Sequence, residues 1–378
     1  MEIGLSDDQE LFRETTRRAL EQHCPVGRVR ELADDPLGFD RRMWALGAEL
    51  GWYATLVPEQ YGGGSVSGAG LIDLTVVAEE LGRYLHPGPF HATNVVAAAL
   101  AGWGTPDQRE EWLPKIAAGD LIATWAFAEP EQDWTATGVA LMASPSGRGF
   151  RLDGVKSHVQ DAHAADQLLV SAMAPQGLTQ FLVPRDAPGV EVEALEGLDL
   201  ARRLANVRFT GVAVDGDAVL GRPGDAAGAI ERQLQVALVL QCAESNGATD
   251  QALAVTVQYS KDRMAFGRPI GSYQALKHRM ADHRMWLEGS FATTAYAARA
   301  VQGATPDAAL AARIAKAHVG QRNSAILHDC IQLHGGIGMT WEYDLHLYFR
   351  RVISNEVLYG SPNEQHRALV DLVEAAPA

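Results

Sequence analysis

Two stretches in the last third of the chain hold residues able to manage a charged ligand. "YSKDRMAFGRPIGSYQALKH" (259–278) puts Tyr259 and Arg263 four residues apart on a predicted helix. A turn from Gly267 to Gly271 follows, and then Gln274 in the next helix. A guanidinium at a helix end can hold a phosphate through charge-assisted hydrogen bonds; the bland alternative is a solvated helix end. "QLHGGIG" (332–338) offers glycine backbone, and "VLYGSPNEQHR" (357–367) lies shortly after it. Gly360, Ser361, Pro362 and Asn363 read as a turn between two helices. If that turn borders a reaction site, an acid or base must stand nearby. A tyrosine such as Tyr359 has an unperturbed pKa near 10 and is a poor base at neutral pH. Glu364 reads as a first-turn residue that complements the helix dipole.

Three segments of different character must position these stretches. Residues 1–119 read as an N-terminal helical domain. In "SDDQELFRETTRRALEQH" (6–23), Ser6 can cap the start, acids occupy the first turn and apolar residues recur at helical spacing. "GLIDLTVVAEELGRYL" (70–85) is more apolar and reads as a buried helix. Residues 120–222 change to short segments rich in β-branched or aromatic residues, separated by Gly, Pro or Asp, which suggests a β-barrel or sandwich. Residues 223–378 turn helical again. One helix is predicted over 229–266 and a second over 272–301. A third opens with Thr305 as cap and Pro306 in its first turn. Long helices with short connections make an antiparallel bundle. The fold class is therefore α+β and multidomain. No G-x-G-x-x-G occurs, which speaks against a Rossmann dinucleotide site.

The balance of 47 Asp and Glu against 32 Lys and Arg gives a net charge of -15. That argues against nucleic acid as the main partner. Cys24, Cys242 and Cys330 are too scattered for a zinc site or a disulfide framework, so no metal is expected and a reducing cytoplasm is the simplest compartment. "MEIGLSDDQE" lacks the apolar core of a signal peptide, and the apolar runs are too short to span a bilayer.

Taken together, Tyr259, Arg263, Phe266-Gly267, Pro269-Ile270 and Tyr273-Gln274 resemble the Tyr…Arg-x-x-Phe-Gly…Ile…Phe-Gln signature of the acyl-CoA dehydrogenase family. "QLHGGIGMTWEY" (332–343), "VPEQYGG" (57–63), "EELGR" (79–83) and "LDGVKSHVQDAHAAD" (152–166) resemble further motifs of that family, in the right order along nearly the whole chain. The resemblance implies a helical domain, a β domain and a four-helix bundle. It implies FAD at a subunit interface and an acyl-CoA substrate that loses a proton from Cα while its Cβ hydride goes to the flavin. Carried over by position, Arg263 and Phe266 contact the ADP part of FAD. Gln274, and the stretch with Gln332, Gly335 and Gly336, contact the FAD of a neighbouring subunit, where glycine lets backbone approach closely. Ser361, Asn363, His158 and Gln160 fall where family members line the cofactor. An electron-transfer flavoprotein is the implied type of electron acceptor.

The departures from the family pattern are as informative. Its Thr-Glu-Pro-x-x-Gly-Ser-Asp becomes "AEPEQDWT" (128–135), which keeps Glu129 and Pro130 but sets Asp133, Trp134 and Thr135 where Gly-Ser-Asp stands. Its Trp-Ile-Thr becomes His158, Val159 and Gln160. Its Tyr-Glu-Gly-Thr loop carries the catalytic Glu. With Gly360 on that Gly and Ser361 on that Thr, the base position falls on Tyr359. Members with the base on the preceding long helix would place it at about Ala237. The nearest helical acid downstream, Glu244, is either a relocated base or a structural buried acid, and the structural role is preferred. Three functions compete: a complete dehydrogenase with Glu244 as base, a base-less subunit of a hetero-oligomeric dehydrogenase, or a flavin oxidase or non-catalytic relative. Paired chains of the second kind occur in actinobacterial steroid side-chain degradation. A homo-oligomer or a hetero-oligomer with a second acyl-CoA dehydrogenase chain is expected.

Overall fold

A computed structural model describes residues 4–374. The first six helices are α1 (Asp7–His23), α2 (Val26–Ala33), α3 (Arg41–Glu49), α4 (Gly70–Arg83), α5 (Phe90–Trp103) and α6 (Pro106–Ala117). The expected cap of α1 forms: Ser6 accepts from Gln9 N–H, and the Gln9 side chain accepts from the Ser6 backbone. Helix α4 is buried along most of its length, as its apolar run predicts.

Seven strands follow: β1 (Ala123–Ala126), β2 (Met142–Ser146), β3 (Gly149–Gln160), β4 (Gln167–Ala174), β5 (Gly177–Pro184), β6 (Val190–Leu195) and β7 (Leu204–Val214). They form one sheet in the order β1-β4-β2-β3-β7-β6, with β5 also on β4. It is an open half-barrel. The β3–β7 register slips between Lys156 and Val159. His158, with φ 52°, stands in that irregularity, so the slip turns the end of β3 toward the bundle.

The chain then enters α7 (Ala227–Asp262), a two-residue ladder of β8 (Met264–Ala265) and β9 (Arg268–Pro269), α8 (Gln274–Gln302), α9 (Ala308–His334), α10 (Leu345–Val357) and α11 (Pro362–Glu374). Two expectations need correction. Arg263 is not on the helix with Tyr259; it is extended (φ -74°, ψ 117°) just past the end of α7. Thr305 does not cap α9, which starts at Ala308 after Asp307; its hydroxyl bonds Asp307 instead. A Thr-Pro pair is compatible with a preceding turn as well as with a cap.

Helices α4 and α7 lock the first domain to the bundle by close backbone approach. A Cβ at Gly82 would lie 2.0 Å from the Glu244 carbonyl oxygen, and one at Gly247 1.8 Å from that of Glu79. Only glycine permits that separation, and it seats Glu244 in the centre of the molecule.

Candidate active site

The loop after α10 is over-determined by buried donors. Lys316 on α9 donates to the carbonyls of Asn355 and Leu358, the latter at 2.8 Å, and to Gln241 Oε1 at 2.6 Å. Gln365 donates to the Tyr359 carbonyl at 2.8 Å. These bonds hold Tyr359 at φ 62° and Gly360 at φ 101°. The first is uncommon for a bulky residue and is kept only by its surroundings. Ser361 caps α11 reciprocally: its N–H and hydroxyl both reach the Glu364 carboxylate, at 2.7 and 2.5 Å. Ser-x-x-Glu was a legible capping box. Asn363 is in the first turn of α11 rather than in an open turn.

Tyr359 is buried, and its phenol accepts a 2.7 Å hydrogen bond from Gln160 at the end of β3. Burial pushes its pKa up to about 12, against the pull of Arg202 and Gln160. The neighbouring Gly360 has no side chain. Neither residue brings a carboxylate to the loop.

Gln160 passes the network on. It accepts from Arg202 Nη1 at 2.5 Å, and Arg202 Nη2 donates to Glu244 at 2.6 Å and to Asn355 at 3.0 Å. Arg351 donates to Glu244 at 2.6 Å and to Asp199. Asn355 adds a 2.8 Å bond to Glu244. Burial alone would raise the pKa of Glu244, but Arg202 and Arg351 outweigh it and hold the carboxyl well below the usual range. A carboxylate so stabilised is a poor proton acceptor. The geometry gives Glu244 the work of a structural counter-ion joining the bundle, α10 and the β domain. Sequence reasoning missed Arg202, Arg351, Asn355 and Lys316. The only signal for Arg202 and Arg351 is charge beside apolar runs ("LDLARRLANV", "YFRRVIS"), which surface helices and loops share.

The positions carried over for FAD divide into two groups. His158, Gln160, Ser361 and Asn363 surround the Tyr359 loop, and three of them are already engaged: His158 Nδ1 with Ser157 Oγ at 2.8 Å, Gln160 with Tyr359 and Arg202, and Ser361 with Glu364. The other group lies at the far end of the bundle and is open. Arg263, Gln274 and Gln332 are exposed. Among the described residues Arg263 has no ion-pair partner. Phe266 is 97% exposed at φ 52°, on the tip of the β8–β9 ladder. Gly335 (φ 67°, ψ -147°) adopts a conformation essentially reserved for glycine, and a Cβ on it or on Gly336 would meet nothing within 4 Å. This end fits the phosphates and planar rings of a dinucleotide: free guanidinium, bare backbone and an unpartnered aromatic. Around the Tyr359 loop, His158, Gln160 and Ser361 are bonded to neighbouring side chains instead.

The sequence profile for the acyl-CoA dehydrogenase N-terminal domain matches residues 6–120, and that for the C-terminal domain matches residues 227–371. The chain belongs to the acyl-CoA dehydrogenase family. It is 34% identical over 369 residues to the acyl-CoA dehydrogenase IpdE2 of Mycolicibacterium smegmatis, covering 97% of this chain and 98% of that one. Its fold is similar to a variant of the Tcur3481-Tcur3483 steroid ACAD, with a TM-score of 0.88, 31% identity, and coverage of 97% and 98%. It is also similar to a chain of the ChsE4-ChsE5 complex from Mycobacterium tuberculosis, with a TM-score of 0.89, 27% identity and full coverage of both. The family is one of flavin-dependent oxidoreductases, and the chain has its three-part fold: helical domain, β half-barrel, helical domain. Among the described residues no helix is long and apolar enough to cross a membrane.

Proposed function

We propose that this chain is the base-less subunit of a hetero-oligomeric, FAD-dependent acyl-CoA dehydrogenase acting on a steroid-derived acyl-CoA. The observation that carries the reading is the state of its two candidate bases. Tyr359 is a buried phenol with its pKa pushed up to about 12, and Glu244 is clamped between two arginines. A partner chain of the same family supplies the carboxylate that takes the Cα proton. Bound FAD supplies the hydride acceptor. This chain contributes the open bundle end. Arg263 meets the cofactor's phosphates, and Gly335 and Gly336 let the backbone come close. Gln274 and Gln332 donate and accept at its polar edge, and Phe266 packs against its ADP part where that meets the partner. The steroid assignment takes support from the names of similar proteins, one a steroid ACAD and two of them paired complexes. Electrons then pass to an acceptor such as an electron-transfer flavoprotein.

Turnover decides it. The chain is purified alone and co-expressed with candidate acyl-CoA dehydrogenase partners, and acyl-CoA-dependent dye reduction is followed. Activity only in the complex supports the proposal. Full activity of the solitary chain refutes it, and loss of that activity in Glu244→Gln without loss of FAD would install Glu244 as the base.

A further inference from the structure

Two cavities flank the Tyr359 loop. One, of about 420 Å³, is bounded by Arg313 on α9, by Glu364 and Gln365 on α11 and by Asp133. The other, of about 470 Å³, lies between His158 and Leu204 of the β domain and Ile353 and Leu358 at the end of α10. Each is the size of a small-molecule site. They share one lining residue, Trp134.

The indole of Trp134 is a wedge between them. Its ring lies 5.1 Å from that of Tyr359, edge to face, and 6.3 Å from that of His158. The loop that carries it is pinned at both ends by a single carboxylate. Glu129 takes the buried Lys156 ammonium at 2.6 Å and the N–H groups of Ala140 and Leu141 at 2.9 and 2.8 Å. Between those anchors the only regular structure is one 3₁₀ turn at Ala136–Gly138. The wedge is thus held in place by its loop and by aromatic contacts.

A dinucleotide with its ring against His158 and its phosphates at the start of α11 would span both cavities, and Trp134 lines each of them. The phosphate end is closed too. The Ser361 N–H and hydroxyl, which a helix N-terminus would present to an anion, already bond Glu364. A phosphate there would meet a carboxylate in place of free donors.

We propose that Trp134 and Glu364 shut this chain's own flavin cavity, so that the flavin it touches belongs to the partner and lies against the open bundle end. The inference rests on the hetero-oligomer reading and adds a stoichiometry and a cause: one FAD per pair of unlike chains, with Trp134 as the residue that removes the second.

The test is FAD binding, which needs no turnover. The solitary wild-type chain, Trp134→Gly and the Trp134→Gly/Glu364→Gln double variant are titrated with FAD by fluorescence quenching. Circular dichroism and melting confirm that each is folded. The expectation is weak binding by wild type and at least a tenfold tighter Kd in the double variant. In the purified complex, flavin absorbance should rise from one FAD per pair toward two when this chain carries both changes. Stoichiometric FAD on the solitary wild-type chain overturns the proposal. So does an unchanged Kd in a folded double variant together with an unchanged count in the complex. If partner-dependent turnover stands while those counts fail, only this inference falls. If the solitary chain turns over acyl-CoA, the reading beneath it falls.

Discussion

Glu244 shows how burial and pairing together decide what one carboxylate can do. A buried acid without partners would be raised toward neutrality and made a usable base. Two arginines reverse that. Glu244→Gln leaves both guanidinium groups short of their shared counter-charge, and breaking such a buried cluster costs about 3–5 kcal/mol. Urea unfolding at pH 7 measures it. The pH dependence has a definite sign. The folded pKa lies below the unfolded value of about 4.3, so Glu244 contributes its stability above that pH. The contribution is lost as pH falls through the folded pKa. Wild type should show that acid loss of stability, and Glu244→Gln should lack its share of it. Tyr359 yields a contrasting case. Tyr359→Phe removes one neutral hydrogen bond with Gln160 and should cost about 1 kcal/mol. Turnover of the complex should stay within about twofold of wild type, a difference worth well under 1 kcal/mol. A loss of turnover by orders of magnitude would make the phenol catalytic.

Among the elements, the loop between α10 and α11 depends on a residue far away in sequence. Lys316 serves three acceptors from α9, with burial lowering its pKa to about 8. Lys316→Met would orphan the carbonyls of Asn355 and Leu358 and the Gln241 side chain. Unsatisfied buried acceptors cost about 1–3 kcal/mol each, partly offset because the ammonium is no longer desolvated. A net loss of about 2 kcal/mol is expected. Faster amide exchange should be confined to the residues around Tyr359 and Gly360. Exchange that quickens evenly across the bundle would mean that Lys316 supports the whole domain and not the loop.

At the scale of the whole molecule, the open bundle end is unfinished surface. A phenylalanine 97% exposed at positive φ is retained at a cost in both hydration and backbone strain. Phe266→Ser should weaken assembly with a partner chain, seen as dissociation at lower dilution in light scattering, while the solitary chain melts within about 1 °C of wild type. Arg263→Ala should leave assembly intact and lower the FAD held by the complex by tenfold or more in affinity, consistent with losing a charge-assisted phosphate contact of about 1.5–3 kcal/mol. Normal FAD content in that variant would shift the anchor to Arg268 or Lys261, which are also exposed.

Periodicity and composition carried the coarse architecture. The α1 cap, the buried α4, the strand block after residue 120 and the long α7 were legible because each depends on neighbours a few residues away. Local signals also failed locally, at Arg263 and Thr305, where a helix end is decided by the turn beyond it. The absence of a carboxylate in "VLYGSP" was legible, and so was a tryptophan in place of a small residue in "AEPEQDWT". What Glu244 does was not. Its role depends on Arg202 and Arg351, which lie 42 and 107 residues away in sequence, and on two glycines that let α4 and α7 nearly touch. Nor could the sequence show that Trp134 reaches Tyr359 and stands between two cavities. Charge pairing and cavity shape are set by which side chains meet across domains, and only the tertiary structure brings those together.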